Sequence, residues 1–368
     1  MLSDVLLFGS PESSPDMFHA IPVGILDPFL YAESDGRRAA TVSVLDRDKV
    51  APLGIEVLDS YELGLDELIA AGLRRTEIDA EIALRAARRL GISNALVPPS
   101  FPLFVADHLR AAGLEVTVDE DLFVMRRRAK TPHEIEGIRR AQRAADAAMA
   151  AAADLIRELR PGLTAEEVRA AMQAVAEEHG CELPDDVIVS HGPQSAVGHE
   201  PGHGALAAGE PVVVDIWPRD PASRCWADMT RTFVAGGGEP PDELAEYWRL
   251  VRESLARVYP EVRAGAEGRA LFERSCEPFH EAGRPTQLSK APGEKLEEGY
   301  FHSLGHGVGL EVHERPNLGR LGDELIVGDV ITLEPGCYRK GFGGCRLEDL
   351  VVVTEEGCDV LTNFPYDL

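Results

Sequence analysis

Four apolar runs each carry a carboxylate at one end, and no other feature of the chain restricts its fold as much. "PVVVDIW" carries Asp215, "CWADMTRTF" carries Asp228, "DVITLEPG" carries Glu334 and "RLEDLVVV" carries Glu348. Asp228 follows Asp215 by thirteen residues and Glu348 follows Glu334 by fourteen. Each spacing suits two antiparallel strands joined by a turn, which returns the second acid to the neighbourhood of the first. Burial against an apolar flank disfavours an ionised carboxylate unless it is paired, hydrogen-bonded or metal-bound. A single acid ending a strand is ordinary surface chemistry. Four of them, together with the histidine- and glycine-rich "HSLGHGVGLEVHE" at residues 302–314, form a donor set.

Four carboxylates and one imidazole suffice for two divalent cations, and four negative charges offset two such ions. Without metal those acids would repel one another and take up protons. Two metals roughly 3.5 to 4 Å apart lower the pKa of water between them and polarise a carbonyl, which is hydrolase chemistry. Oxygen-rich ligation leans towards Mn²⁺ or Co²⁺, with Zn²⁺ as the alternative.

At 368 residues the chain exceeds the usual size of one domain, so a large and a smaller domain are expected. In the first part "RAATVSVL", "LEVTV" and "LFVM" read as strands, while "TEIDAEIALRAARRLG", with a threonine cap, and "FPLFVADHLRAAG" read as helices. This predicts a small α/β domain over residues 1–127. A basic joint, "RRRAKTP" at residues 126–132, leads into the alanine-rich "HEIEGIRRAQRAADAAMAAAADLIREL". "TAEEVRAAMQAVAEEHG" follows as a second helix, with a capping box at Thr164 and Glu167. The acid-bearing strands, and helices near "PDELAEYWRLVRESLARVY" and "EGRALFERSCEPFHEAG", make residues 128–368 an α+β domain.

A formal net charge of -26 repels phosphate, so neither nucleic acid nor an anionic membrane is an expected partner. The N-terminal "MLSDVLLF" has no basic leader and no stretch approaches membrane-spanning length, which suggests a cytoplasmic protein. The six cysteines show no C-x-x-C pair and are expected to be reduced.

"DMTRTF", "HSLGHGVGLEVHE", "TLEPG" and "RLEDLVVVTEEG", in this order along residues 130–368, resemble the M24 metallopeptidases, the family of aminopeptidase P, prolidase and methionine aminopeptidase. The resemblance implies a pita-bread catalytic domain preceded by a smaller creatinase-like α/β domain. It implies that Asp215 holds one metal, that Asp228 and Glu348 bridge both, and that His306 and Glu334 hold the other. Glu334 would also be the general base. His313, and His199 in "SAVGHEPG", resemble the histidines that bind substrate and stabilise the tetrahedral intermediate. His302 matches a histidine beside the proline pocket of the Xaa-Pro members. Arg346, two residues before Glu348 and so on the same strand face, resembles the arginine that supports the bridging acid.

The implied activity is removal of the N-terminal residue from peptides with proline second, as an Xaa-Pro aminopeptidase or dipeptidase, by a homodimer. A metal-dependent non-peptide C–N hydrolase of the creatinase-like type and a catalytically inactive binding homologue are the alternatives. The glycines of residues 302–314 are expected to let backbone pass close to metals and substrate. His306 and His313 lie an odd number of residues apart, so an ideal strand would turn them to opposite faces, and their convergence rests on the resemblance. The chain departs from the family in having "DIW" where Asp-x-Gly is usual, with a longer connection to Asp228. Trp217 shares a strand face with Asp215 and either lines the mouth of the site or packs beneath it.

Overall fold

In the strand Val5–Gly9, Leu6 turns to one side while Val5 and Leu7 turn to the other, and each side finds its own apolar cluster. That double burial marks a sheet covered on both faces. The computed structural model describes residues 4–367; residues 1–3, which open the stretch read above as lacking a leader, and residue 368 lie outside the described residues. The chain divides into two compact units, Met1–Arg127 and Arg128–Leu368.

The first unit holds a six-stranded mixed sheet, in the order Glu56–Val57, Arg37–Ala40, Phe29–Ser34, Val5–Gly9, Asn94–Val97, Glu115–Val118. Helices Arg75–Arg89 and Leu103–Ala111 pack on the Leu6 side. Three local expectations change. "LFVM" lies in the helix Glu120–Arg128, because Asp119 accepts a hydrogen bond from Leu122 N and two acids occupy the first turn. Of "RAATVSVL", residues 38–45, only the first three are strand, within Arg37–Ala40. The helix Arg75–Arg89 is capped not by Thr76 but at Arg74, whose backbone N–H donates to Glu77 at 2.8 Å.

In the second unit, helix Pro132–Glu158 starts at a capping box of Thr131 and Glu134 with proline in its first turn. Its Ile138, Ala141, Ala145, Ala148, Met149, Ala152 and Ile156 recur every three or four residues and are all buried. A fully buried Ile or Met side chain contributes roughly 1.5–3 kcal/mol. Small alanines in the same stripe let the helix lie close to its neighbours. Helix Ala165–Glu178 has the Thr164–Glu167 box expected from sequence.

These two helices cover a three-stranded antiparallel sheet, Ile188–His191, Pro211–Ile216 and Met229–Val234. Helices Asp242–Val258 and Gly268–Glu281 share a second core with a five-stranded sheet. Its order is Glu314–Leu318, Gly305–Gly307, Val330–Leu333, Asp349–Val353, Cys358–Val360. A small third sheet joins Glu298–Gly299, Gly336–Arg339 and Gly343–Arg346. All six cysteines are free thiols. Among the described residues, no helix is long and apolar enough to cross a membrane.

Candidate active site

The strands Pro211–Ile216 and Met229–Val234 are antiparallel neighbours with Asp215 opposite Thr230, and Asp228 immediately precedes the second of them. Val330–Leu333 and Asp349–Val353 pair likewise, Leu333 opposite Asp349. Glu334 and Glu348 therefore leave adjacent strands side by side. The connection between those two acids is more than a turn: it contains the hairpin Gly336–Arg339 and Gly343–Arg346 of the third sheet. Arg346 ends that hairpin and Glu348 precedes a different strand, so the shared-face argument does not apply to them. Both side chains reach the site because the chain between them runs beside Met229–Val234, with Arg346 N donating to Thr232 Oγ1 and Glu348 N to the Thr230 carbonyl, each at 3.0 Å.

Asp228, His306 and Glu348 each offer a ligand atom, and these atoms lie within 4.8 Å of one another. His306 Nε2 is 3.4 Å from Glu334 Oε1 and 3.7 Å from Asp228 Oδ2. Its Nδ1 lies 3.1 Å from the Gly307 carbonyl, which can only accept, so Nδ1 carries the proton and Nε2 presents a lone pair to the acids. Asp215 Oδ2 accepts from Arg346 Nη2 at 2.6 Å, while its Oδ1 is buried without a hydrogen-bond partner among the described residues. An orphaned carboxylate oxygen beside three converging donors fits a divalent cation.

The electrostatics agree. Burial, then repulsion from Asp215 and Glu334, pushes the Asp228 carboxyl well above its ordinary range. Burial and the charges of Asp228, Glu334 and Asp215 do the same to Glu348. Burial lifts Glu334 to about 8, although Arg346 pulls it back. His306 falls to about 3 through burial and the nearby His313, and His302 to about 3 through burial and Arg346. Neutral imidazole is the form that binds metal, and a cation would replace the protons these crowded acids otherwise hold.

A hydrogen-bond web ties the acids to Tyr338 and His302. Thr230 Oγ1 donates to Glu348 Oε2 at 2.6 Å and accepts from Arg346 Nε at 3.2 Å. Arg346 Nη1 donates to the Tyr338 hydroxyl at 2.9 Å. His302 Nδ1 faces the Ser303 carbonyl, which assigns its proton there; Nε2 then accepts from Tyr338 OH at 3.0 Å. The ring of Phe301 lies 4.9 Å from that of Tyr338. Thr230, Tyr338 and Thr332, whose hydroxyl reaches Glu334 at 3.4 Å, were missed by the sequence reading. Thr230 and Thr332 each sit two residues from an acid, a parity signal that was available.

His306 and His313 come together, rings 4.3 Å apart and edge to face. Residues 308–313 form the reversal between strands Gly305–Gly307 and Glu314–Leu318, with a register shift after His306, so strand parity does not govern the pair. Two of the glycines have a packing role as well. A Cβ on Gly305 would lie 2.0 Å from the Thr332 carbonyl oxygen and one on Gly307 2.4 Å from that of Arg315, so their smallness serves strand-to-strand approach. His199 is exposed in the loop after residues 192–196, near enough to His302 and His313 to weigh against a positive charge on either. Trp217 is half-buried and packs against the core beneath the sheet that carries Asp215. His191 is held by Glu210 and the His203 carbonyl.

Acid-bearing strand pairs from two helix-covered sheets, closing on one another around a cluster of oxygen and imidazole donors, make the pita-bread architecture of metal-dependent peptidases. The chain belongs to metallopeptidase family M24, whose sequence model matches residues 136–355. It is 34% identical over 243 residues to the Xaa-Pro dipeptidase of Pyrococcus furiosus, an alignment covering 65% of this chain and 64% of that protein. The chain thus spans less than two thirds of that relative. To the Xaa-Pro dipeptidase of Pyrococcus horikoshii it is 31% identical over 291 residues, 78% of this chain and 76% of the other. The solved structure of an Xaa-Pro dipeptidase from Bacillus anthracis superposes with a TM-score of 0.80 at 25% identity, covering 100% of this chain and 94% of that one. Divalent metal use goes with the family.

Proposed function

We propose that the chain is a dinuclear metal-dependent hydrolase that removes the N-terminal residue from Xaa-Pro peptides, as an aminopeptidase or a dipeptidase. The observation that carries this reading is the convergence of Asp228, His306 and Glu348 beside Glu334 and the orphaned Asp215 oxygen. Relatives named Xaa-Pro dipeptidase support the substrate class. Asp215 would hold one ion, His306 and Glu334 the other, and Asp228 and Glu348 both. The oxygen-rich set favours Mn²⁺ or Co²⁺ over Zn²⁺. When bound, such ions polarise a scissile carbonyl and acidify water.

The remaining work falls to the chain's own side chains. Glu334 takes a proton from the attacking water and passes it to the leaving amine. His313 and His199 donate to the carbonyl oxygen as negative charge builds on it. Proline at the second position has no N–H, so its ring is recognised by shape, beside His302, Phe301 and Tyr338. Arg346 holds Asp215 and, through Thr230, Glu348.

The same reading makes the protein a cytoplasmic homodimer. Six free thiols support a reducing compartment. A groove of about 360 Å³ in the first unit, lined by apolar Phe8, Phe29, Val42 and Ile78 and flanked by the exposed Leu45 and Tyr61, supports a second copy as its cover. The test is kcat/KM for Leu-Pro, Leu-Pro-Gly and Leu-Ala in chelator-stripped protein and after Mn²⁺ or Co²⁺ is restored. Metal-dependent cleavage of the proline peptides is expected. Turnover of cyclic amidines in their place would overturn the reading in favour of a non-peptide C–N hydrolase.

A further inference from the structure

Behind the metal ligands, on the opposite face of the same backbone, lies a second buried polar cluster that the proposed chemistry does not use. Thr230 and Glu348 face the site; their chain neighbours Arg231 and Asp349 pair on the other side at 2.8 Å, with side chains 1% and 3% exposed. Arg231 has five N–H donors, and each finds an acceptor. Nη1 donates to the Thr230 carbonyl at 2.9 Å and the Glu348 carbonyl at 2.6 Å. Nη2 donates to Asp349 Oδ1 at 2.8 Å and the Phe364 carbonyl at 2.6 Å, and Nε to the Pro365 carbonyl at 3.0 Å. The hydroxyls of Tyr259 and Tyr366 both donate to Asp349 Oδ2, and the Tyr366 ring lies 4.8 Å from the guanidinium carbon.

The acceptors belong to three separate segments: the strand Met229–Val234, the turn into Asp349–Val353, and residues 364–365. The first carries Asp228 at its edge and the second carries Glu348. They belong to different sheets, so no continuous strand ladder sets the distance between those two carboxylates. Across this seam run the Glu348 N to Thr230 carbonyl and Arg346 N to Thr232 Oγ1 hydrogen bonds, each at 3.0 Å, and Arg231 adds a five-donor bridge behind them that holds the same residues of the two sheets side by side. A slip of one residue there would turn Glu348 away from the site and Asp349 into it.

We propose that Arg231 is a positioning residue for the metal centre. Acting through Asp349 and the Thr230 and Glu348 carbonyls, it sets the separation of Asp228 and Glu348, with residues 364–366 as its outer brace. A lysine has three donors on a flexible stem, so it leaves buried acceptors unmet and cannot replace the five-way fork.

This inference rests on the reading that these acids hold divalent ions, and the experiment separates the two. Co²⁺ is titrated into chelator-stripped full-length protein, followed by calorimetry and by its visible absorption, for the parent, Arg231→Met/Asp349→Asn, Asp349→Asn and Arg231→Lys. The double variant removes both buried charges together, so no lone ion is left to unfold the chain. Its Co²⁺ affinity is expected to fall on the order of 10- to 100-fold with an altered absorption spectrum. Asp349→Asn keeps the shape and an acceptor oxygen and should give a smaller loss; it also serves if the double variant does not fold. Arg231→Lys should not restore the parent affinity. A lowered Tm with unchanged Co²⁺ affinity and spectrum in the folded variants would make Arg231 a stability element only and overturn the inference. A parent protein that binds no Co²⁺ would instead overturn the metal reading itself.

Discussion

Replacing Thr230 by valine exchanges one hydroxyl for a methyl at a position that is 0% exposed. The branched shape is kept, so the strand Met229–Val234 and its packing should survive. Two interactions are lost: the donation to Glu348 Oε2 at 2.6 Å and the acceptance from Arg346 Nε at 3.2 Å. A hydrogen bond to a charged group contributes about 1.5–3 kcal/mol, and a buried donor left unmet costs about 1–3 kcal/mol. These two losses fall on different states. With metal bound, Glu348 must be ionised and needs the threonine donor. Without metal, burial and the charges of Asp228, Glu334 and Asp215 favour the neutral carboxyl, and the hydroxyl matters less to it. Metal affinity should therefore drop by about 10- to 100-fold, at 1.4 kcal/mol per decade. The metal-free protein should lose only the Arg346 contact, roughly 1–2 kcal/mol. Calorimetric titration with Mn²⁺, alongside thermal unfolding with and without the ion, measures both, and Thr230→Ser should recover most of the affinity. Metal affinity within twofold of the parent, with Tm alone reduced, would refute the argument that this hydroxyl prepares Glu348 for a cation.

His313→Ala should leave metal content unchanged while lowering kcat on Leu-Pro about 100-fold or more, and loss of metal on elemental analysis would show that His313 is a ligand. His302→Ala should narrow the ratio of kcat/KM for Leu-Pro over Leu-Ala, because the Tyr338–His302 contact that shapes the pocket is gone; an unchanged ratio counts against that placement. The metal-free protein should become less stable as pH rises from 7 to about 8. Over that window folded Glu334 still holds a proton that an unfolded glutamate, with its ordinary value of 4.5, has already lost, so the folded state binds more protons and stability falls with pH. Above pH 7 the buried histidines offset only part of this slope, since an unfolded imidazole, with its ordinary value of 6.5, has by then lost most of its proton and the folded values of His302 and His306 are about 3. Thermal melts from pH 7 to 8 with and without Mn²⁺ test it: a metal-free Tm that rises across the window contradicts the crowded-acid picture, and bound metal should flatten the slope.

Local chemistry made much of this protein readable in one dimension. Thr164 and Glu167 announce a helix start because the capping box closes within four residues. The alanine stripe of Pro132–Glu158 and the valines before Asp215 declare their periods without reference to anything distant. Residue type also set the chemistry, since four acids at apolar strand ends demand a counter-charge wherever they meet. Where local signals competed, the apolar reading lost: "LFVM" became helix because Asp119 caps it and acids fill its first turn.

Only the tertiary structure decided which groups stand together. His306 and His313 meet through a chain reversal that strand parity does not describe. Arg346 reaches Asp215 across 131 residues from the end of a hairpin, not from the strand that follows Glu348. Tyr338 links His302 to that arginine, and Arg231 joins two sheets behind the acid cluster, through contacts separated by up to 134 residues. The physical reason is the range of the forces. Capping, propensity and strand alternation act over a few residues and leave a trace in sequence, whereas a hydrogen bond across a seam between sheets exists only once both sheets have packed. The sequence by itself determined the elements and the kind of donors; packing alone decided their distances, and with them whether a divalent ion has a site.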